Sequence, residues 1–328
     1  MRRLGIWLCI AAMMLTGCSA ARPAVEEDAL GQEETSLLLG FSQLGSESAW
    51  RIGNTASVIQ AAKDAGVQLM YENAEQKQEK QIKAIRSFIA YQVDVIAFAP
   101  IVEDGWDNVL REARDAGIPV LTTDRQISTQ DETLFAGFIG SDFLSEGVKA
   151  GKFLIEKADR MKADALNIVE ISGTIDSTPM RQRQLGFMQT IKGDERLRVI
   201  DSVSGDFLRS KGKECMQALL KKHPKIDAIY SHNDAMTLGA IEAIEERGLI
   251  PGKDIIIITV DGEQAAIDLL KAGKINCVVE CSPMIGPTIM RVATQLAAHQ
   301  EIARYTYSDE RVFSEFDAGL DQLAERGY

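Results

Sequence analysis

Short, solidly apolar runs alternate with helical patterns along residues 37–299. Strands covered by helices on both faces are apolar throughout, so the runs predict parallel sheets in an α/β fold. Four predicted helices are followed by a glycine that can cap the last turn, Gly66, Gly117, Gly248 and Gly273. We expect strands at 37–42, 67–72, 93–99, 118–123, 134–140, 165–171, 197–203, 226–231, 254–260 and 275–281, and helices near 48–65, 76–91, 104–116, 142–158, 178–192, 209–222, 234–247, 263–272 and 284–299.

The length of this region indicates two lobes. Roughly 290 residues follow position 36, which is more than one hydrophobic core usually supports. The units before about residue 140 and after about residue 142 are similar in length and order, as expected for two similarly wound lobes. The segment LFAGFIGSD at 134–142 runs directly into a helical pattern, and we expect the first crossing between the lobes there.

Three of the apolar runs end on carboxylates or amides. IPVLTTD ends at Asp124, IDAIYSHND ends at Asn233 and Asp234, and DIIIITVD ends at Asp261. In open α/β sheets, ligands bind at the carboxyl ends of the strands. These side chains therefore predict a site for a polar small molecule.

The N-terminal 36 residues predict export and a lipid anchor. Arg2 and Arg3 precede LGIWLCIAAMML, which has the length of a secretory signal and is too short for a membrane span. The following LTGC resembles a bacterial lipobox, which implies cleavage before Cys18 and lipid on that residue. An ordinary signal peptide with an incidental cysteine is the alternative. We expect a signal peptide at 1–17, a tether at 18–36 and an extracytoplasmic body anchored to the cell membrane.

The charge of the chain argues against nucleic acid as a partner. The formal net charge is −12, and removal of residues 1–17, which hold two Arg and no acidic residue, lowers it to about −14. Nucleic-acid binding requires clustered Lys and Arg to displace counterions. We therefore expect no nucleic-acid partner.

Three cysteines remain after the signal and the lipobox. Cys277 and Cys281 lie four residues apart on one predicted strand, about 13 Å from each other, which is too far for a disulfide. We expect no disulfide framework, and a bond from Cys215 to either of the others stays open.

Several segments together resemble a known family. They are GFSQLGSESAWR, EQKQEKQIKAIRSFIAYQVDVIAFAP, TTDR, SGDFLRSKGKE, SHNDAMTLGA and TVDG. Their combination resembles the periplasmic sugar-binding proteins of ribose/galactose type, and among these most closely the galactofuranose-binding proteins of sugar ABC transporters. The resemblance covers roughly residues 37–300 without a large gap.

The resemblance implies a type I periplasmic binding protein fold, in which two Rossmann-like lobes with parallel sheets are joined by a three-segment hinge. It implies an N-terminal lobe of 37–140 and 283–308, and a C-terminal lobe of 141–282 and 309–328. The implied function is capture of a monosaccharide, galactofuranose or another aldose, and its delivery to the membrane permease of an ABC transporter. A sugar sensor that presents its closed form to a membrane histidine kinase or chemoreceptor is the alternative.

The chemistry of a sugar accounts for the polar strand ends. Vicinal hydroxyls both donate and accept hydrogen bonds, so planar charged groups suit them. Asp124 can accept from two hydroxyls while Arg125 donates, and Asp261 can accept from another strand. The amide of Asn233 can donate and accept at once, whereas we expect Asp234 to cap the helix that follows.

Aromatic residues are expected on both apolar faces of the sugar ring. Trp50 and Arg51 open a helix after the loop that contains Ser46 and Glu47, where they can face the cleft. Phe207 matches the family's second aromatic residue, supplied from the other lobe.

Two positions depart from the family pattern. Arg181 matches a family position whose Arg contacts the sugar, whereas the galactofuranose type has its Arg at the position of Arg183, so the choice between them stays open. Cys281 stands where the ribose type has Gln, and Glu280 or Ser282 substitutes for it unless the contact is absent. The expected ligand-binding residues are Ser46, Glu47, Trp50, Arg51, Asp124, Arg125, Thr174, Arg181, Arg183, Phe207, Asn233, Asp261 and Glu280.

Enzyme and regulator functions find little support. The sequence has none of the common nucleophile, phosphate-binding, dinucleotide or metalloprotease motifs. A glycosidase is disfavoured because Asp124 and Asp261 suffice as hydroxyl acceptors, and Arg125 would keep a neighbouring acid ionised. A transcriptional regulator would need a DNA-binding segment where this chain has a predicted signal. We expect a monomer without catalytic residues, metal or cofactor.

Overall fold

The structure is a computed structural model that describes residues 36–328. The predicted signal peptide, the predicted lipidation site Cys18 and the tether up to residue 35 lie outside the described residues. None of the helices in 36–328 combines the length and hydropathy that a membrane span requires.

The first of two sheets is parallel throughout the described part of the chain. Its six strands lie in the order β11-β5-β4-β3-β1-β2. They are β1 (Leu38–Gln43), β2 (Gln68–Asn73), β3 (Val95–Phe98), β4 (Val120–Thr123), β5 (Gly137–Gly140) and β11 (Tyr305–Tyr307).

The second sheet repeats this arrangement with one difference. Its order is β12-β10-β9-β8-β6-β7, and the edge strand β12 pairs with β10 in the antiparallel sense. The strands are β6 (Leu166–Ser172), β7 (Leu197–Ser204), β8 (Ala228–Ser231), β9 (Ile256–Asp261), β10 (Cys277–Glu280) and β12 (Val312–Ser314).

Helices cover both faces of each sheet, which explains the solidly apolar strands. Ile96 and Ala97, neighbours on β3, point into separate apolar clusters, and Ile257 and Ile258 on β9 do the same in the second sheet. The helices are α1 (Ala49–Asp64), α2 (Gln78–Ala90), α3 (Asp107–Asp115), α4 (Phe143–Met161), α5 (Thr178–Ile191), α6 (Arg209–Lys222), α7 (Asp234–Glu246), α8 (Gln264–Lys271) and α9 (Gly286–Ala297).

The elements predicted from the sequence are confirmed, with two additions. Every predicted strand and helix forms within a few residues of its expected bounds. The four glycines expected as helix caps have positive φ values between 67° and 78°. The short strands β11 and β12 were not predicted, because three residues carry too little pattern to stand out.

Over residues 36–328 the chain passes between the two sheets three times. It leaves the first sheet after β5, returns after β10 and leaves again between β11 and β12. We call these stretches the first, second and third passages. They fall at 141–142, 281–285 and 308–311. The boundaries of the lobes, 37–140 with 283–308 and 141–282 with 309–328, stay a prediction.

Two glycines allow α4 and α5 to pack in close contact. A Cβ atom on Gly147 would lie 2.2 Å from the carbonyl oxygen of Arg183, and one on Gly186 would lie 2.2 Å from that of Leu144. The clash is with backbone, so no side-chain rotation can relieve it. This contact fixes the face of α5 that carries Arg183.

We expect Gly147→Ala to lower the free energy of unfolding by about 1–2 kcal/mol. Overpacking typically costs about 1–3 kcal/mol, and a clash with backbone belongs to the upper part of that range, about 2–3 kcal/mol, of which the better helix propensity of Ala returns up to about 1 kcal/mol. Urea unfolding of the purified protein measures the difference. Gly193→Ala, in the turn after α5, is the control for an added methyl group without a clash, since a Cβ there meets nothing within 4 Å. Equal stability of both variants and the parent would contradict the packing argument.

Candidate ligand-binding site

The carboxyl ends of both sheets face each other across one small cavity. It contains about 330 Å³ of empty space, part of it open to solvent. Most of the strand-end and aromatic residues expected from the sequence meet here. The cavity is lined by Glu47, Ser48, Trp50, Arg51, Asp124, Arg125, Pro179, Arg183, Phe207, Asn233, Asp261 and Cys281.

On the side of the first sheet, a buried carboxylate lies between two arginines. Arg51 Nη2 is 2.6 Å from Asp124 Oδ2, and Arg51 Nε donates to Glu47 Oε1 at 3.1 Å. Burial alone would lower the pKa of Arg51, but these two carboxylates outweigh it and raise that pKa. Burial, assisted by repulsion from Arg51, lowers the pKa of Arg125 to about 10.

On the side of the second sheet, Arg183 is the central charge. Its Nε donates to Glu146 Oε2 at 2.6 Å, its Nη1 donates to the carbonyl of His232, and its Nη2 lies 3.8 Å from Asp261 Oδ1. Glu146 and Arg183 are almost fully buried. Burial raises the pKa of Asp261 well above its usual range, an effect that Arg183 opposes.

Both strand-end aspartates have unusual backbone conformations. The φ angle is 60° at Asp124 and 125° at Asp261, in the region that side chains other than glycine rarely adopt. Such strained residues cluster at functional sites, where the surrounding structure holds them in place. Both residues line the cavity.

The two aromatic residues connect the sides of the cleft. Trp50, at the start of α1, donates from Nε1 to the carbonyl of Cys281 at 2.6 Å and from its backbone N to Glu263 Oε1 at 2.9 Å. Phe207, in the turn between β7 and α6, has its ring 5.4 Å from the guanidinium carbon of Arg125. The two sides therefore touch across the cleft in this structure.

The prediction that Asp234 caps the helix α7 is wrong. Asn233, not Asp234, caps α7, because its side-chain oxygen accepts from Met236 N at 3.0 Å. Asp234 is fully buried and accepts from the backbone N–H groups of Gly262 and Glu263, each at 2.7 Å. Asp234 therefore fixes the turn after β9, while Asn233 both caps the helix and lines the cavity.

Four expected residues do not line this cavity. Arg181 is 59% exposed and pairs with Glu103 at 3.1 Å on the opposite side of the cleft mouth. Glu280 is engaged by Arg326 and by the backbone N of Arg311. The other two residues are Ser46, which is exposed, and Thr174, whose carbonyl accepts from Ser177.

Three lining residues were not in the set expected from the sequence. Ser48 caps α1 by accepting from Arg51 N at 3.1 Å, and a Ser before a helical pattern is the signal that could have placed it. Pro179 occupies the first turn of α5. Cys281 follows β10, at the same edge of the sheet as Asp261.

Comparison with known proteins identifies the family. A family model described as a periplasmic binding protein domain matches residues 39–301. The chain belongs to the periplasmic binding protein domain family. The galactofuranose-binding protein YtfQ of Escherichia coli (strain K12) is 42% identical over 255 residues, which cover 76% of this chain and 79% of that protein.

Two solved structures resemble this periplasmic binding protein closely. One, from Mycobacterium smegmatis in complex with β-D-fucofuranose, has a TM-score of 0.83 and 44% identity and covers 85% of this chain and 92% of its own. The other is the binding component of the arabinose ABC transporter of Shewanella sp. ANA-3, bound to α- and β-L-arabinofuranose. It has a TM-score of 0.82 and 40% identity and covers 87% of this chain and 93% of its own.

These comparisons confirm the predicted family and the two-lobed fold with parallel sheets. Family membership also implies an extracytoplasmic location for this periplasmic binding protein. The relatives are named for binding and transport and not for catalysis.

Proposed function

We propose that this periplasmic binding protein captures a monosaccharide in its furanose form and delivers it to the membrane permease of an ABC transporter. The observation that carries the proposal is the meeting of two sets of buried planar charged groups, one from each sheet, around one small cavity. The furanose form is supported by the relatives, which bind fucofuranose and arabinofuranose or are named for galactofuranose.

In this proposal each side of the cleft holds part of the sugar. Asp124 accepts from two neighbouring hydroxyls, while Arg51 and Arg125 donate to hydroxyl and ring oxygens. From the other side Arg183 donates, Asp261 accepts and the amide of Asn233 does both.

Trp50 and Phe207 cover the apolar faces of the ring in this arrangement. Because both rings belong to contacts between the sides, a ligand enters only after the lobes separate, and closure then removes water from the polar contacts. Micromolar affinity corresponds to about −8 kcal/mol. Four or five hydrogen bonds to charged groups, at about 1.5–3 kcal/mol each, supply this after the cost of association.

Delivery to an ABC transporter and the lipid anchor complete the proposal. The Shewanella relative is described as a component of an ABC transporter. The predicted lipidation at Cys18 would tether the protein at the membrane, where it can meet a permease. We propose that it acts there as a monomer.

Thermal unfolding with a panel of sugars tests the binding proposal. We expect L-arabinose, D-galactose or D-fucose at 100 times its dissociation constant to stabilise the protein by about 2.7 kcal/mol, a shift of several degrees in Tm. Galactitol is the control for D-galactose, since it has the same configuration at C2 to C5 but cannot form a ring. D-Glucose tests ring form, because it forms very little furanose in water. A shift with none of the aldoses would contradict sugar binding, and a shift with D-glucose alone would contradict the furanose form.

A further inference from the structure

The three passages between the sheets meet at one carboxyl group. Glu310 lies on the third passage, and its Oε1 accepts from the hydroxyl of Ser141 on the first passage and from the backbone N of Ser282 on the second, the latter at 3.0 Å. Glu310 is 8% exposed. One side chain therefore joins all three connections on which any movement of the lobes depends.

A second buried carboxyl group faces Glu310. One carboxyl oxygen of Glu146, the Sγ of Cys281 and one carboxyl oxygen of Glu310 lie within 4.8 Å of one another. Glu146 is fully buried, and while its Oε2 accepts from Arg183, its Oε1 has no hydrogen-bond partner. Two carboxylates this close in a dry site cannot both ionise at low cost. A proton on Glu310 would supply the donor that Glu146 Oε1 lacks.

The surrounding charges do not compensate a second negative charge. Arg183 is the cation that contacts Glu146, and it is shared with Asp261. Lys149 Nζ donates to the backbone carbonyl of Glu310 at 2.8 Å and not to its carboxyl group. Burial and the two carboxyl groups raise the pKa of the Cys281 thiol, which keeps it neutral. Burial, together with repulsion from Glu146, raises the pKa of Glu310 to about 8.

We propose that Glu310 is a positioning residue, a neutral carboxylic acid that joins the three passages and, by donating its proton to Glu146, holds Arg183 at the cavity. Its effect on sugar binding depends on the proposed function, whereas its protonation does not. The same three side chains could instead ligate a divalent cation. A proton on Glu310 is favoured over a bound cation, because two of the oxygens that a cation would need already accept hydrogen bonds. Glu146 Oε2 accepts from Arg183, and Glu310 Oε1 accepts from the N–H of Ser282.

Glu310→Gln tests the neutral acid without any ligand. Glutamine keeps the acceptor for Ser141 and Ser282 and offers an N–H to Glu146, so it mimics the protonated acid. We expect the infrared carbonyl band of buried carboxylic acids at pH 7 to lose one component in Glu310→Gln, while the contributions of Asp234 and Asp261 stay. The control Asp309→Asn, at the exposed neighbouring residue, leaves the band in place. An unchanged band in Glu310→Gln would overturn the proposal, as would one equivalent of divalent metal in the purified wild type.

The pH dependence of stability gives a second test without ligand. The folded-state pKa of Glu310, about 8, lies above its ordinary value of 4.5, so the folded state binds the extra proton. Stability from this group is complete below pH 4.5 and is lost as the pH rises towards 8. We expect Tm to fall more steeply between pH 5 and 8 in the wild type than in Glu310→Gln. Parallel profiles for the two proteins would overturn the proposal.

Titration with L-arabinose tests the effect on the site. We expect Glu310→Gln to bind within threefold of the wild type at pH 7, and the wild type to lose about tenfold more affinity than Glu310→Gln between pH 7 and 9. Asp234 and Arg125, whose pKa values are about 7 and about 10, contribute equally to the pH dependence of affinity in both proteins, so their contributions cancel in the comparison. Equal losses in both would refute the positioning role. Absence of L-arabinose binding in both would count against the proposed function alone, because the carbonyl band still decides the state of Glu310.

Discussion

Replacing Asp124 with alanine is expected to weaken sugar binding by at least about 100-fold. Hydrogen bonds to a charged group are worth about 1.5–3 kcal/mol each, and two of them exceed the ~2.7 kcal/mol that corresponds to 100-fold. The substitution also leaves Arg51 and Arg125 close together without the carboxylate between them. Calorimetric titration with the sugar that gives the largest thermal shift measures the loss.

Two further variants show whether this effect is specific. Asp124→Asn keeps the shape of the side chain but removes its charge, so we expect an intermediate loss of affinity. Asp115→Ala removes an exposed aspartate that pairs with Arg114 on the surface, and we expect it to bind like the wild type. Circular dichroism and thermal unfolding check that each variant is folded. Unchanged affinity in Asp124→Ala would remove this residue from the proposed site.

The fold could be predicted from the sequence because its strongest determinants are local. Buried strands such as β3 and β9 are mainly apolar on both faces. Glycines with positive φ follow several of the helices that connect successive strands. The strand β12 could not be predicted in this way. It has three residues, and it pairs with β10, more than 30 residues earlier, through contacts that no local pattern encodes.

The cavity could be predicted in outline because topology dictates which strand ends meet. Asp124 follows β4 and Asp261 ends β9, so parallel sheets bring each to the carboxyl edge of its own sheet. The roles of Asn233 and Asp234 were harder to separate, since both residue types cap helices well. Only the three-dimensional contact of Asp234 with the turn at Gly262 distinguishes them.

The choice between Arg181 and Arg183 shows why the remaining details need the structure. Two positions apart on a helix, the side chains point about 200° apart, so both cannot face one cavity. The sequence does not say how α5 is rotated about its axis. The close contact of α5 with α4 at Gly147 sets that rotation and turns Arg183 inwards. Glu310 was missed for a related reason, because it lies in a connecting segment without periodicity.

This geometry leads to opposite expectations for the two arginines. Arg183→Lys is expected to weaken sugar binding by about 10- to 100-fold. Lysine keeps the charge beside Glu146 but loses the planar fork that donates to the carbonyl of His232 and that we propose donates to the sugar. Arg181→Lys, by contrast, is expected to change affinity less than threefold. Arg181 is 59% exposed, and its ion pair with Glu103 is of the kind that contributes about 0–1 kcal/mol. Calorimetry on both variants gives the comparison.

Lysine is the informative substitution at Arg183 because a neutral residue would disturb the fold as well as the site. Arg183→Met would leave Glu146 as a buried charge without its partner, a change that costs about 3–5 kcal/mol in stability. We expect Arg183→Met to lower Tm strongly and Arg183→Lys to lower it little, whereas both weaken binding. If Arg181→Lys lost affinity and Arg183→Lys kept it, the ligand would be held at the mouth of the cleft beside Glu103, and the proposed arrangement of the site would be wrong.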